Sequence, residues 1–200
     1  LKCHDSFREK AARQAHTHHR AGSAGDGCLD CHMPRINEGL QDVVRTHMIF
    51  SPNRRDMIES NHPNACNLCH VEKSIRWTRA ALQEWYGTSF ADRVIAGAYP
   101  EPAGAVGLGW LRSESEAVRL VAVDALLRQR AEWALPELLE RLDDEFLLNR
   151  QFARKGLEEM LGIQLSDFGY RFHMGREERG PVIAKIRRLL LDRAGAAESP

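Results

Sequence analysis

The spacing of apolar residues changes near residue 72. Before it, apolar positions are scattered among Gly, Pro, Asn and charged residues, a pattern without period that predicts loops. From Glu72 onward Ile75, Ala80, Leu82 and Trp85 with Tyr86 recur at mixed three- and four-residue spacing, with Asp, Glu and Arg filling the other face. That is an amphipathic helix, and Gly87 supplies its stop. Val118 to Leu127 and Leu135 to Leu142 predict a helix hairpin, with Pro136 suited to a first helical turn. Phe90 to Ala98 with Ala103 to Leu111 form a weaker preceding unit, Phe146 to Leu161 starts a following one, and Pro181 to Leu191 offers a last amphipathic helix.

Within this helical part Arg119, Ala122, Ala125 and Leu126 recur as Arg150, Ala153, Gly156 and Leu157, a constant shift of 31 residues. Small side chains at these positions let neighbouring helices approach closely. Stacked pairs of this kind form an α-solenoid, in which each unit buries its apolar face against its neighbours. The pattern resembles short HEAT-like repeats, although 31 residues is below the usual period of about 40–47. An irregular helical bundle is the competing architecture. The fold class expected is therefore mostly α: a loop-rich segment over residues 1–87, then a HEAT-like α-solenoid over residues 88–200.

Composition adds exclusions. The 28 basic and 28 acidic residues cancel, so no global field favours nucleic acid or an anionic membrane as partner. No apolar run approaches the roughly 20 residues of a membrane span. The basic run Lys185-Ile186-Arg187-Arg188 reads as one solvated face of the terminal helix.

Cysteine and histidine placement carries the chemistry. All five cysteines and eight of the nine histidines lie at or before His70. Cys28-Leu29-Asp30-Cys31-His32 and Cys66-Asn67-Leu68-Cys69-His70 both spell C-x-x-C-H. Two sulfurs at this spacing form thioethers with porphyrin vinyl groups, and the next histidine reaches beneath the iron as proximal ligand. One such motif arises by chance on the order of 0.006 times in a chain of this composition, so two point to covalent haem c. Zinc held by four thiolates is the first rival, but it leaves His32 and His70 without a role. A thioredoxin-like dithiol lacks its flanking strand and helix, and structural disulfides also ignore both histidines.

Leu1-Lys2-Cys3-His4 has the form of a third attachment motif cut one residue short. It explains the odd cysteine and predicts that the natural polypeptide continues upstream. With His4, His32 and His70 assigned as proximal ligands, His16, His18, His19, His47 and His62 remain for the second axial positions. Their number favours bis-histidine ligation. Met33, Met48 and Met57 are the thioether alternatives; Met33 is the weakest, because beside His32 it cannot easily reach the opposite haem face.

A family resemblance rests on these residues. His16-Thr17-His18-His19-Arg20-Ala21-Gly22-Ser23-Ala24-Gly25 followed by Cys28 to Pro34 resembles the H-x-x-H-x-x-G-S-x-G-x-x-C-x-x-C-H-M-P signature of multihaem cytochromes of the doubled C-x-x-C-H, cytochrome c554-like class. Arg45-Thr46-His47 with Phe50-Ser51-Pro52 is similar to its R-x-H-x-F-x-x-P segment, with one extra residue between His47 and Phe50. Pro63-Asn64-Ala65-Cys66 through His70, Lys73-Ser74, Trp77 and Trp85-Tyr86-Gly87 resemble its P-N-A-C-x-x-C-H-x-x-K-S-x-x-W and W-Y-G blocks. The resemblance covers roughly residues 1 to 87. It implies periplasmic proteins, often fused to helical repeats, and makes His16, His19 and His47 the best distal candidates. His62 occupies no recurrent family position and ranks lower; His18 stays close to its neighbours.

The function expected is electron transfer through closely spaced haems, with the repeats docking another redox protein or cytochrome subunit of a larger complex. An oxidoreductase acting on nitrogen or sulfur compounds is the alternative, with its catalytic haem lying elsewhere. Covalent attachment takes place outside the energy-transducing membrane, so the mature protein is expected in the periplasm or exported. Trp77 and Trp85 are expected to pack against the haem segment rather than relay electrons.

Overall fold

A computed structural model describes residues 4–39 and 41–197. After a 3-10 turn at Asp5–Arg8, helix α1 spans Lys10–Thr17 and ends where His18 takes a left-handed conformation, φ 54°. Helix α2, Cys28–His32, is a single short stretch containing the first attachment motif. Strands β1 (Arg35–Glu38) and β2 (Val43–Arg45) then pair antiparallel, Arg35 opposite Arg45 and Glu38 opposite Val43, with an irregularity between Arg35 and Asn37. This hairpin departs from the expected loop. Its strands are too short for alternation to register, and only Val43 is fully buried. Helix α3 (Arg55–Glu59) is pinned by Ile58, also fully buried, whose carbonyl accepts from the Tyr99 hydroxyl at 2.8 Å.

Helix α4, Ile75–Tyr86, matches the predicted amphipathic helix. Ser74 caps it by accepting the Trp77 amide, and Gly87 closes it at φ 65°, a left-handed conformation that glycine adopts without a Cβ penalty. Ile75, Thr78, Ala81 and Leu82 face the core; Ala80, expected on that face, is exposed, because 3.6 residues per turn put Ala81 there instead.

The remaining helices are α5 (Asp92–Ala98), α6 (Val106–Leu111), α7 (Glu116–Arg128), α8 (Leu135–Glu140), α9 (Leu147–Leu161) and α10 (Arg176–Ala197). Residues 88–197 contain no strand. Two expected limits shift. The segment from Ala103 is helical only from Val106, and the stretch from Leu135 tightens into a 3-10 turn at Arg141–Asp143. Pro181 lies inside α10 rather than at its start: the helix begins five residues earlier, where Arg179 is buried and bonds Asp143 Oδ1 at 2.5 Å and the Met174 carbonyl at 3.1 Å.

The 31-residue echo has a physical basis. Helices α7 and α9 pack on each other, while α10 packs on α8. Ala122, Ala125 and Ala153 are fully buried at the crossing, and a Cβ on Gly156 would lie 2.2 Å from Leu127 Cδ1. Arg119 Nη1 donates to the carbonyls of Ser113 and Glu114 at 2.8 and 3.0 Å. Arg150 Nη1 does the same to Asp144 and Glu145, at 2.7 and 3.0 Å. Each arginine thus clamps the turn that precedes its own helix. Asp144 links the units by accepting from Arg119 Nε and Nη2 at 2.7 and 3.0 Å.

One hydrophobic cluster runs from Val43 and Ile58 through Ile75 and Leu126 to Ile186. The join between its two halves is hydrogen-bonded: Val106 and Gly107 amides donate to the Lys73 and Val71 carbonyls at 3.0 Å each. Trp110 Nε1 reaches Asn61 Oδ1 at 3.0 Å. The helices therefore form a platform for the cysteine-rich segment.

Candidate haem-binding site

The first motif starts α2. Cys28 is exposed, Cys31 and His32 half-buried. Five residues cannot hold a helix unaided, and Arg45 supplies the missing restraint: Nη1 donates to the Leu29 and Met33 carbonyls at 2.6 and 3.1 Å, and Nη2 pairs with Asp30. This gives the arginine of the Arg45-Thr46-His47 segment a task in the motif 15 residues upstream.

The second motif is built around two buried amides. Asn67, fully buried, donates to the His70 and Lys73 carbonyls at 3.1 and 3.2 Å and accepts from the Thr78 hydroxyl at 2.6 Å. Asn64 accepts the Asn67 amide at 3.0 Å. Polar groups with no access to water demand such pairing, so the loop of Cys66, Cys69 and His70 is fixed to the start of α4. Asn64, Asn67, Thr78 and Arg45 carry no metal-ligating chemistry, and spacing alone does not single them out.

The two motifs adjoin. Burial pushes the Cys66 thiol up to about 12, with Cys31 and Cys69 adding to it. Burial likewise raises Cys31 to about 11, with Asp30 and Cys69 contributing, and raises Cys69. Among the described residues no three His, Cys, Asp or Glu side chains converge as a bare metal ion requires.

The histidines pair. His16, from α1, faces His32 with ring centres 6.1 Å apart and planes 1° apart. His19, just past the end of α1, faces His70 at 6.1 Å with planes 29° apart. Two imidazoles bound on opposite sides of one metal at about 2 Å each put their ring centres about 6 Å apart, a span that both separations match. His32 Nδ1 lies 2.6 Å from the Phe50 carbonyl and His19 Nδ1 lies 2.5 Å from the Thr17 carbonyl. Each contact calls for a proton on Nδ1 and leaves the Nε2 lone pair for a metal. Burial lowers the pKa of both His16 and His70, favouring the neutral, ligating form; the neighbouring His32 adds to the effect at His16.

Other expected ligands are placed apart. His47 is exposed in the loop after β2. His4 is exposed with its ring 6.4 Å from Phe7; Cys3 lies outside the described residues. His18 stacks on Trp85, ring centres 4.3 Å apart and planes 4° apart. His62 is exposed. Trp77 is half-buried against His70, ring centres 4.9 Å apart.

Paired cysteines each followed by histidine, and imidazoles facing each other across about 6 Å, are the features of a c-type cytochrome site, in which haem c is bound covalently. More narrowly, residues 14–97 match the family model of cytochrome c552. The match takes in both motifs and ends within α5. No curated protein and no solved structure matches the chain. Among the described residues no helix is long and apolar enough to cross a membrane.

Proposed function

We propose that this chain passes electrons between two adjacent c-type haems, each six-coordinate with two histidines: His32 with His16, and His70 with His19. The observation that carries the reading is the pair of 6.1 Å imidazole gaps, each between a histidine of an attachment motif and one from a single upstream segment. Bound haem supplies a one-electron couple that two imidazoles hold at low potential. The chain contributes fixed axial nitrogens, so little rearrangement accompanies the change of charge. It also contributes adjoining motifs, which keep the transfer distance short.

Cys3 with His4 forms a third attachment point in this reading, and His47 is the distal ligand of a further haem. The helical part, read as HEAT-like repeats stacked through α7 and α9, docks another redox protein or cytochrome subunit. The site of action is the periplasm or the cell exterior. The c554-like class of multihaem cytochromes remains the resemblance that fits the His16 to Pro34 run.

Electron paramagnetic resonance of the oxidised holoprotein tests the ligation. The expected spectrum is wholly low-spin, with His16→Ala removing one low-spin signal and His19→Ala another. A substantial high-spin component in the unsubstituted protein would instead indicate an exchangeable iron and catalysis. If both variants left the spectrum untouched, the distal assignments would be wrong.

A further inference from the structure

Asp26 ligates nothing, yet its carboxylate is the most fully engaged acid beside the two histidine gaps. It is 8% exposed. Arg13 Nε and Nη2 donate to its two oxygens at 2.8 and 2.9 Å, and the Gly22 amide donates to Oδ2 at 2.9 Å. We propose that the Arg13–Asp26 pair, with Gly25 beside it, is the positioning device that sets both His16 and His19 against their irons. This rests on the bis-histidine reading above.

Arg13 precedes His16 by three residues on α1, so the two side chains leave the same face of the helix. Fixing the guanidinium fixes the direction in which the His16 ring is offered. Asp26 closes the loop that begins after His19, and through the Gly22 amide it holds the turn at Gly22, φ 80°, as well. The result is a ring of contacts running from helix to turn to carboxylate and back to helix, with His19 inside it. A paired fork of two parallel N–H···O bonds restrains rotation as well as distance, which a lysine ammonium does not.

Gly25 completes the device on the other side. A Cβ there would lie 2.2 Å from His19 Cδ2, 2.5 Å from Cγ and 2.6 Å from Nε2. Residue 25 must therefore lack a side chain for the ring to stand where it does. With the Thr17 carbonyl 2.5 Å from Nδ1, the His19 imidazole is confined at one edge and, by Gly25, over one face. His16 has no such cradle, so the two variants below should differ: a change at Asp26 disturbs both ligands, whereas a change at Gly25 disturbs His19 alone.

The test uses the haem-loaded protein and spin state as its readout. Asp26→Asn should turn part of both low-spin signals high-spin and raise the carbon-monoxide-reactive fraction about tenfold, the factor one lost charge-assisted hydrogen bond carries. Excess imidazole should restore the low-spin spectrum, and Arg13→Lys should give an intermediate result. If Asp26→Asn yields no holoprotein, Gly25→Ala decides: the signal lost in His19→Ala should be displaced, and the one lost in His16→Ala kept. Unchanged spectra and carbon monoxide reactivity in Asp26→Asn or Gly25→Ala, or high-spin signals that imidazole does not restore, overturn the proposal while leaving the ligation intact. Failure of the ligation itself shows separately, as an unsubstituted protein whose signals ignore His16→Ala and His19→Ala; the proposal then falls with it.

Discussion

Asn67 accepts and donates wholly inside the protein, and its four contacts shape the loop that presents Cys66, Cys69 and His70. Replacing it with leucine keeps the approximate volume but strands the Thr78 hydroxyl, the Asn64 amide and two carbonyls. We expect Asn67→Leu to cost about 3 kcal/mol, within the range for buried groups left unpaired, in urea unfolding of the holoprotein. A loss under about 0.5 kcal/mol, the scatter of neutral surface changes, would show that water or relaxation satisfies them. Asp144 gives a pH dependence. Burial alone would raise its pKa, but the Arg119 fork and the Phe146 amide outweigh that and hold it below the ordinary carboxylate range. Because the folded value is the lower one, the stabilisation is fully present above about pH 4, the unfolded value, and drains away as pH falls through the folded value. Asp144→Ala removes that acid limb and leaves Arg119 buried without its partner; about 3 kcal/mol should be lost at pH 7. Unfolding curves across pH 2 to 7 for both proteins check the sign, and parallel curves would reject it.

At the scale of elements, two opposing effects meet at Gly156. Alanine is worth about 1 kcal/mol over glycine inside a helix, yet the new methyl would sit 2.2 Å from Leu127 Cδ1. Overpacking of a close crossing costs about 1–3 kcal/mol, so Gly156→Ala should destabilise on balance. The double variant Gly156→Ala with Leu127→Ala should recover part of the loss, and strict additivity would deny the contact. Helix α4 offers a simpler case: Ser74→Ala removes the hydroxyl that accepts the Trp77 amide, for about 1 kcal/mol in thermal unfolding. Elements with a strong local signal were legible from sequence. Helix α4 has its apolar spacing and glycine stop, and the 31-residue echo marks where α7 and α9 cross, whereas the Ser74 cap was not singled out. The β1–β2 hairpin was not legible, because its register depends on Arg45 holding α2 and on α7 packing beneath β1, both tertiary effects. The start of α10 was also hidden, since the Arg179 contacts that reward helix before Pro181 come from residues 143 and 174.

For the molecule as a whole, the hydrophobic cluster and the hydrogen bonds from Val106 and Gly107 tie the cysteine-rich segment to the helices. Lys155 adds a surface tie to Asp42 at 2.6 Å. We therefore expect the holoprotein to unfold in one calorimetric transition, with calorimetric and van't Hoff enthalpies equal. Two separated transitions would mean that the segments before and after residue 88 are independent units. The attachment motifs were plain in the sequence because their chemistry is local. The pairing of His16 with His32 and His19 with His70 was not, because five spare histidines compete and only the path of the chain between residues 17 and 28 selects among them.

That path bears on how the protein is made. His16 and His19 precede both cysteine pairs, so a polypeptide threaded across a membrane amino end first would deliver the two proposed distal histidines ahead of either cysteine pair. In the proposed pairing, iron joined at Cys28 and Cys31 finds its sixth ligand already outside, and so does iron joined later at Cys66 and Cys69. Neither waits for a downstream stretch to emerge, and the interval in which a five-coordinate, peroxide-sensitive iron faces solvent is as short as the order of synthesis allows.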